Sequence, residues 1–180
     1  MSFQNLRVYI ALSLVAMGLQ GFTKAADARV YTGVVIRIVD GDTLWVRTSV
    51  HGEPRKVRFQ GMDAPESCQT WGAQATAALT QHIQFKTVQL STRARDDYGR
   101  MLATVMLDGE DVGRWMVVNG HAWSYHYRRS LGPYAIEETQ ARASGRGLWS
   151  QAAVEPREFR KQHGACPHPH AERRPQRERH

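Results

Sequence analysis

Residues Val30 to Gln60, VYTGVVIRIVDGDTLWVRTSVHGEPRKVRFQ, decide the fold. Val30 to Val39 and Thr43 to Ser49 are rich in Val, Ile, Thr and aromatic residues, side chains that suit a pleated surface. The turn signal His51-Gly52-Glu53-Pro54 leads into a third run of the same kind, Lys56 to Gln60. Beyond it the hydrophobic period becomes helical over the alanine-rich stretch Gln69 to Ile83, where Ala75, Leu79 and Ile83 share one face. Two further strands, Thr87 to Ser91 and Met101 to Leu107, flank the charged turn Arg93 to Arg100. Helices then span Asp111 to Asn119, capped by Asp111 and stopped at Gly120, and Tyr134 to Ser144, stopped at Gly145.

A three-strand meander, a helix, two more strands and two closing helices predict an α+β fold. The expected architecture is a five-stranded closed barrel of the OB type with three packed α-helices. The chain's 180 residues give room for one such domain, at residues 29–150, with short appendages. Met1 to Ala28 has the layout of a signal peptide: Arg7, an apolar stretch from Val8 to Leu19, and the small-x-small site Ala26-Asp27-Ala28. Export to the periplasm or the medium is the expectation, with no stable membrane association after cleavage. Residues 151–180 form a basic, Pro- and His-rich C-terminal extension. From Arg157 to His180 it carries seven basic and three acidic residues, so most of the net charge lies there rather than on the core. The run from His163 onward reads as extended chain that either solubilises or touches a polyanion.

Two acidic clusters fall at strand ends, Val39-Asp40-Gly41-Asp42-Thr43 and Met62-Asp63-Ala64-Pro65-Glu66. Alone, the first also reads as a plain hairpin turn and the second as a helix start. Arg58 and Arg100 change the balance, because carboxylates beside guanidiniums suit a place where a hard cation and a phosphodiester meet. Surface salt bridging is the competing reading. Period two sets Arg58 and Asp63 on opposite faces unless a bulge or twist intervenes at Gly61.

From Tyr31 to Trp149 the order of motifs resembles the staphylococcal nuclease (thermonuclease) family. The matching blocks are IVDGDTLWV, VRFQGMDAPES, DDYGRMLATVML, GEDVGRWMVVNGHAW and SGRGLW. The resemblance implies that Asp42, Asp63 and the Ala64 carbonyl bind Ca2+, and that Asp40 holds a water beside it. It also implies that Glu66 is a general base, that Arg58 and Arg100 bind the phosphate, and that Tyr98 contacts a flanking phosphate. A second substrate tyrosine is Tyr125 or Tyr127. The implied protein is an exported, calcium-dependent, monomeric hydrolase of single-stranded or locally open DNA and RNA. A non-catalytic nucleic-acid-binding OB module is the alternative, and the presence of Asp42, Arg58, Asp63, Glu66 and Arg100 together speaks against it.

Departures from the family pattern are visible as well. Only Ser67 to Gly72 separates Glu66 from the helix, a shorter loop than the family's best-known member has, and no substrate-facing lysine stands in it. Asp97 occupies a position where a basic residue is expected. Trp123 is assigned to core packing rather than base stacking. Cys166, His168 and His170 lack the paired spacing of a zinc motif. In an exported chain the two cysteines have one intramolecular connectivity, Cys68 to Cys166, set against two free thiols or an intermolecular pair.

Overall fold

The computed structural model describes residues 28–164 and Cys166. The proposed signal peptide and the extension beyond Cys166, with His168 and His170, lie outside the described residues. In chain order the elements are β1 (Arg29–Asp40), β2 (Thr43–Arg47), β3 (Arg55–Phe59), β4 (Met62–Asp63), α1 (Gly72–Ile83), β5 (Thr87–Arg95), β6 (Met101–Leu107), β7 (Glu110–Asp111), α2 (Val112–Val118), β8 (Trp123–Ser124), α3 (Ala135–Ala143) and α4 (Pro156–His163). A 3-10 turn occupies Gly147–Ser150.

Five strands run in the order β3-β2-β1-β5-β6, and a parallel pairing of β3 with β6 closes them into a barrel. Closure depends on β1. Its first half pairs with β5, from Arg29 opposite Thr92 to Val34 opposite Thr87, and its second half pairs with β2, ending at Asp40 opposite Thr43. Register shifts between Val35 and Arg37 and between Ile38 and Asp40 bend the strand so that one segment serves both neighbours. The strands alternate as half-buried strands do: Val57 and Phe59 on β3 and Met101, Ala103 and Val105 on β6 are buried, while Arg58 and Leu102 between them are not. This fold is the expected OB-type α+β barrel, with four α-helices where three were anticipated.

Helix α1 covers the barrel with Ala75, Leu79 and Ile83, all fully buried at four-residue spacing. It begins at Gly72, three residues later than the sequence pattern predicts. The residues before it are committed to a turn, with the Gln69 amide donating to Glu66 O at 2.8 Å and Gly72 N to Gln69 O at 2.9 Å. Trp71 has φ 71°, a left-handed conformation through which a right-handed helix cannot run. Gly72 is needed there for space, since a Cβ on it would lie 2.0 Å from the Glu66 carbonyl oxygen. Asp111 caps α2 by accepting the Arg114 amide at 3.1 Å and also receives the Tyr134 hydroxyl at 2.9 Å. Among the described residues no helix is long and apolar enough to cross a membrane.

The fourth helix is the main departure. Pro156–His163 belongs to the stretch assigned to the C-terminal extension, yet it is helical. Pro156 is buried at its start, and Phe159 lines a cleft with Gln69, Trp123 and Leu148.

Because Leu79 is the fully buried centre of the face of α1, Leu79→Ala is expected to lower the unfolding free energy by about 2 to 5 kcal/mol. Urea unfolding at constant m checks this. A loss below about 1 kcal/mol would mean that α1 is not seated on the barrel core.

Candidate active site

The turn between β1 and β2 delivers Asp40 and Asp42. Asp40 accepts the Asp42 amide at 3.1 Å, an Asx-type contact that fixes the turn. Asp42 is buried and every carboxylate oxygen is occupied: Oδ1 accepts from the Thr43 hydroxyl at 2.9 Å and Arg58 Nη1 at 2.6 Å, and Oδ2 accepts the Ala64 amide at 3.2 Å. Arg58 reaches it because β3 pairs with β2 in a register that sets Arg58 opposite Thr43.

The same guanidinium donates through Nη2 to Asp63 Oδ1 at 2.5 Å. Strand alternation alone would have parted these two residues. Gly61, at φ +84°, turns the chain after β3, and β4 then pairs with β8, Asp63 opposite Trp123, instead of continuing the barrel strand. The phase of β3 is therefore not carried into β4. Glu66 follows on the short loop before α1, with its amide donating to Gln69 Oε1 at 3.1 Å.

Asp40, Asp42, Arg58, Asp63, Ala64 and Glu66 thus gather at one end of the barrel. Arg100 and Tyr98 form a separate group. Arg100 donates through Nε to Asp96 Oδ2 at 2.6 Å and stacks over the Tyr98 ring, whose side chain is 85% exposed. Leu102 lies opposite Arg58 in the parallel ladder, and Arg100 stands just before β6, outside that ladder. Tyr125 and Tyr127 are both exposed. The Tyr125 amide donates to Gly61 O at 2.9 Å, fastening it to the bend before Asp63, while Tyr127 stacks with Arg128. Trp123 is buried and meets Trp149 edge to face.

Ionisation reflects the crowding. Burial first, and then the Asp42 carboxylate, pushes Asp40 up to about 7. The same two causes push Asp63 up to about 6, although Arg58 and Arg160 pull the other way. Burial would lower Arg58, but Asp42, Asp63 and Asp40 outweigh it and hold the guanidinium charged. At Asp96 desolvation raises the carboxylate, but the hydrogen bonds and charge of Arg100, with the Tyr98 amide, together outweigh it and keep it below its usual range.

The carboxylates are donors of the kind a hard divalent cation takes, although among the described residues no three His, Cys, Asp or Glu side chains are drawn together closely enough to hold a metal ion. Asp40, Asp42, Asp63 and Glu66 face only two guanidiniums, Arg58 and Arg160, which leaves a formal charge of minus two. The donors are all oxygens, the set that calcium prefers over zinc or copper. Asp42 and Asp63 are held toward a common point by one arginine, and Asp40 has no arginine partner among the described residues.

Sequence reasoning missed Arg160. It donates through Nη1 to Glu66 Oε1, and its Nη2 lies 3.7 Å from Asp63 Oδ2. It also missed Gln69, whose Nε2 donates to Val154 O at 2.5 Å. A signal for the helix was present: Pro156 at its first turn, Glu158 spaced for Lys161 and Gln162, and Gly164 at its end. Cys68 and Cys166 are joined by a disulfide that fastens the chain after this helix beside Glu66.

An OB barrel with a carboxylate and guanidinium cluster at the ends of its early strands is the architecture of a phosphodiester-directed protein class. The family described as Staphylococcal nuclease homologue matches residues 56–151, and the chain belongs to that family. It is similar to an "Uncharacterized endonuclease" of Escherichia coli O157:H7, at 37% identity over 121 residues that cover 67% of this chain and 78% of the relative. A "Micrococcal nuclease" of Shigella flexneri is 34% identical over 143 residues, covering 73% and 81%. A "Protein ParB" of Escherichia coli is 34% identical over 173 residues, covering 89% and 93%.

The raised Asp40 and Asp63 give a pH prediction for the cation-free protein. Each binds its proton more tightly folded than unfolded, so both cost stability at pH 8, and the cost fades as pH falls through about 7 and then about 6. In chelator the melting temperature is therefore expected to rise between pH 8 and pH 5.5, and Asp40→Asn to raise it at pH 8 while flattening the rise. A melting temperature that falls steadily over that interval in the unsubstituted chain would contradict this.

Proposed function

We propose that this protein is an exported, calcium-dependent, monomeric nuclease that hydrolyses phosphodiester bonds of DNA and RNA in single-stranded or locally open stretches. The observation that carries the reading is the shared guanidinium of Arg58 between Asp42 and Asp63, with Glu66 three residues further on. That grouping would place anionic oxygens for a cation and one guanidinium fork for a phosphate within one site. The family and the printed names of the relatives, endonuclease and micrococcal nuclease, support it.

Asp42, Asp63 and the Ala64 carbonyl would hold calcium, with Asp40 ordering a water beside it. When bound, the cation supplies charge stabilisation for the non-bridging phosphate oxygens. Arg58, whose fork Asp42 and Asp63 share, would meet the phosphate. Glu66 takes the proton of the attacking water, a contribution typically around 10²- to 10⁴-fold. Arg100 meets charge on the leaving side as a fixed cation, because a guanidinium is a poor proton donor. Tyr98 lies beside it for the flanking phosphate, and Tyr125 and Tyr127 line the approach. Export is supported by the Cys68–Cys166 bridge, since an oxidising compartment is where such a bond persists.

The test is cleavage of single-stranded DNA and RNA by the mature chain, with calcium and with a calcium-selective chelator. Glu66→Gln and Arg100→Lys are each expected to lower turnover at least about tenfold, roughly 1.4 kcal/mol of barrier. Arg58→Lys is a poorer probe, because Arg58 also neutralises two buried carboxylates and its loss disturbs folding. Robust cleavage in chelator removes calcium from the mechanism. Binding of either nucleic acid without cleavage, calcium present, replaces the enzyme by a binding module.

A further inference from the structure

Three fasteners tie the loop carrying Glu66 to the C-terminal segment. Glu66 receives Arg160 Nη1, Cys68 is bonded to Cys166, and Gln69 Nε2 donates to Val154 O at 2.5 Å. Gln69 also accepts the Glu66 amide through Oε1 at 3.1 Å, so one side chain links the backbone of Glu66 to the segment before α4. Residues 66, 68 and 69 are thereby bonded to 160, 166 and 154, across a sequence separation of 94 for the ion pair and 98 for the disulfide. No other segment among the described residues bonds to the Glu66 side chain.

The geometry at the carboxylate is selective. Arg160 occupies Oε1 and its second nitrogen turns toward Asp63, while Oε2 of Glu66 takes no hydrogen bond among the described residues. One oxygen is anchored and the other is left to accept a proton. A glutamate has three side-chain torsions, and without an anchor its carboxylate samples positions that do not serve the reaction. The Arg160 side chain is 39% exposed and that of Glu66 24%, so the pair sits at the mouth of the site rather than in the core.

We propose that Arg160 is a positioning residue for Glu66, delivered from outside the barrel by α4 and kept in place by the Cys68–Cys166 bridge. The inference rests on the nuclease reading above. It assigns a task to the C-terminal helix: fixing the base through a partner in the distant chain, since among the described residues the Glu66 carboxylate bonds to no side chain of its own loop.

The experiment uses the oxidised mature chain, calcium and a single-stranded DNA oligonucleotide, with kcat and KM measured separately. Arg160→Ala is expected to lower kcat about tenfold with KM within about twofold, and Arg160→Lys to restore part of the loss, because it keeps the charge without the fork. In a Glu66→Gln background Arg160→Ala is expected to have no further effect on kcat. Cys68→Ser/Cys166→Ser, assayed at a temperature where circular dichroism shows it folded, should lower kcat in the same way. An unchanged or raised kcat in Arg160→Ala overturns the proposal, a raised value showing that Arg160 blocks the base. A loss confined to KM overturns it in favour of a direct phosphate contact, and an equal loss in the Glu66→Gln background overturns it by showing independence from Glu66. A wild-type chain that does not cleave overturns the nuclease reading and this proposal together, whereas an active wild type with an indifferent Arg160→Ala overturns this proposal alone.

Discussion

Arg58 holds the site together because it is the one cation placed between two buried aspartates. Asp42 comes from the β1–β2 turn and Asp63 from β4 beyond the barrel, and neither is near the other in sequence. Removing a partner from such a group leaves an uncompensated buried charge, which costs several kcal/mol. The turn, the third strand and the bend at Gly61 are therefore constrained jointly: each must put its residue where the fork of one guanidinium reaches. The barrel supplies that constraint through register, since Arg58 is opposite Thr43 on one side and Leu102 on the other. A one-residue slip of β3 would turn Arg58 inward and Val57 outward, parting the guanidinium from both carboxylates and exposing a core residue.

The C-terminal segment answers a different requirement. Closing a loop of this length by a disulfide stabilises a domain by about 4 to 5 kcal/mol on chain-entropy grounds, before native-state strain is subtracted. The bridge does so next to Glu66 and not at a remote edge. It thereby fastens the loop that enters α1, where Trp71 is left-handed and a Cβ on Gly72 would meet the Glu66 carbonyl. A strained, close-packed entry of this kind persists only when neighbouring bonds over-determine it.

The barrel strands, α1 and α2 are legible in the sequence because their burial is periodic, as with Ala75, Leu79 and Ile83 at helical spacing and the alternating residues of Met101 to Leu107, while α3 is legible from its stop at Gly145. The acidic clusters and Arg58 are legible because they lie in short ordered motifs at strand ends. Other features leave little local trace. The start of α1 is displaced by a turn that Gln69 makes with Glu66, an arrangement set by contacts to Val154 far along the chain. β4 and β8 are two residues each and carry no period at all. Helix α4 has no apolar stripe beyond Pro156 and Phe159, so what docks it is an ion pair, a disulfide and one aromatic ring. Those are pairings between distant residues, which hydrophobic patterning does not encode.

Charge balance connects the two halves of the structure. Four carboxylates against two guanidiniums leave a formal charge of minus two, and only Arg58 of the two comes from the barrel. A barrel without α4 would present one guanidinium to the same carboxylates and a formal charge of minus three. Asp63, already raised by burial and by Asp42, would then lose the part of its relief that Arg160 provides. A cation could be held more tightly by that more negative site, yet Glu66 would be drawn toward it as an additional ligand, having no other positive partner. By occupying one oxygen of Glu66, Arg160 would hold that carboxylate back from serving as a further ligand. On the proposed mechanism the helix would thus divide the carboxylates by role, leaving Asp42 and Asp63 for the cation and Glu66 for the attacking water.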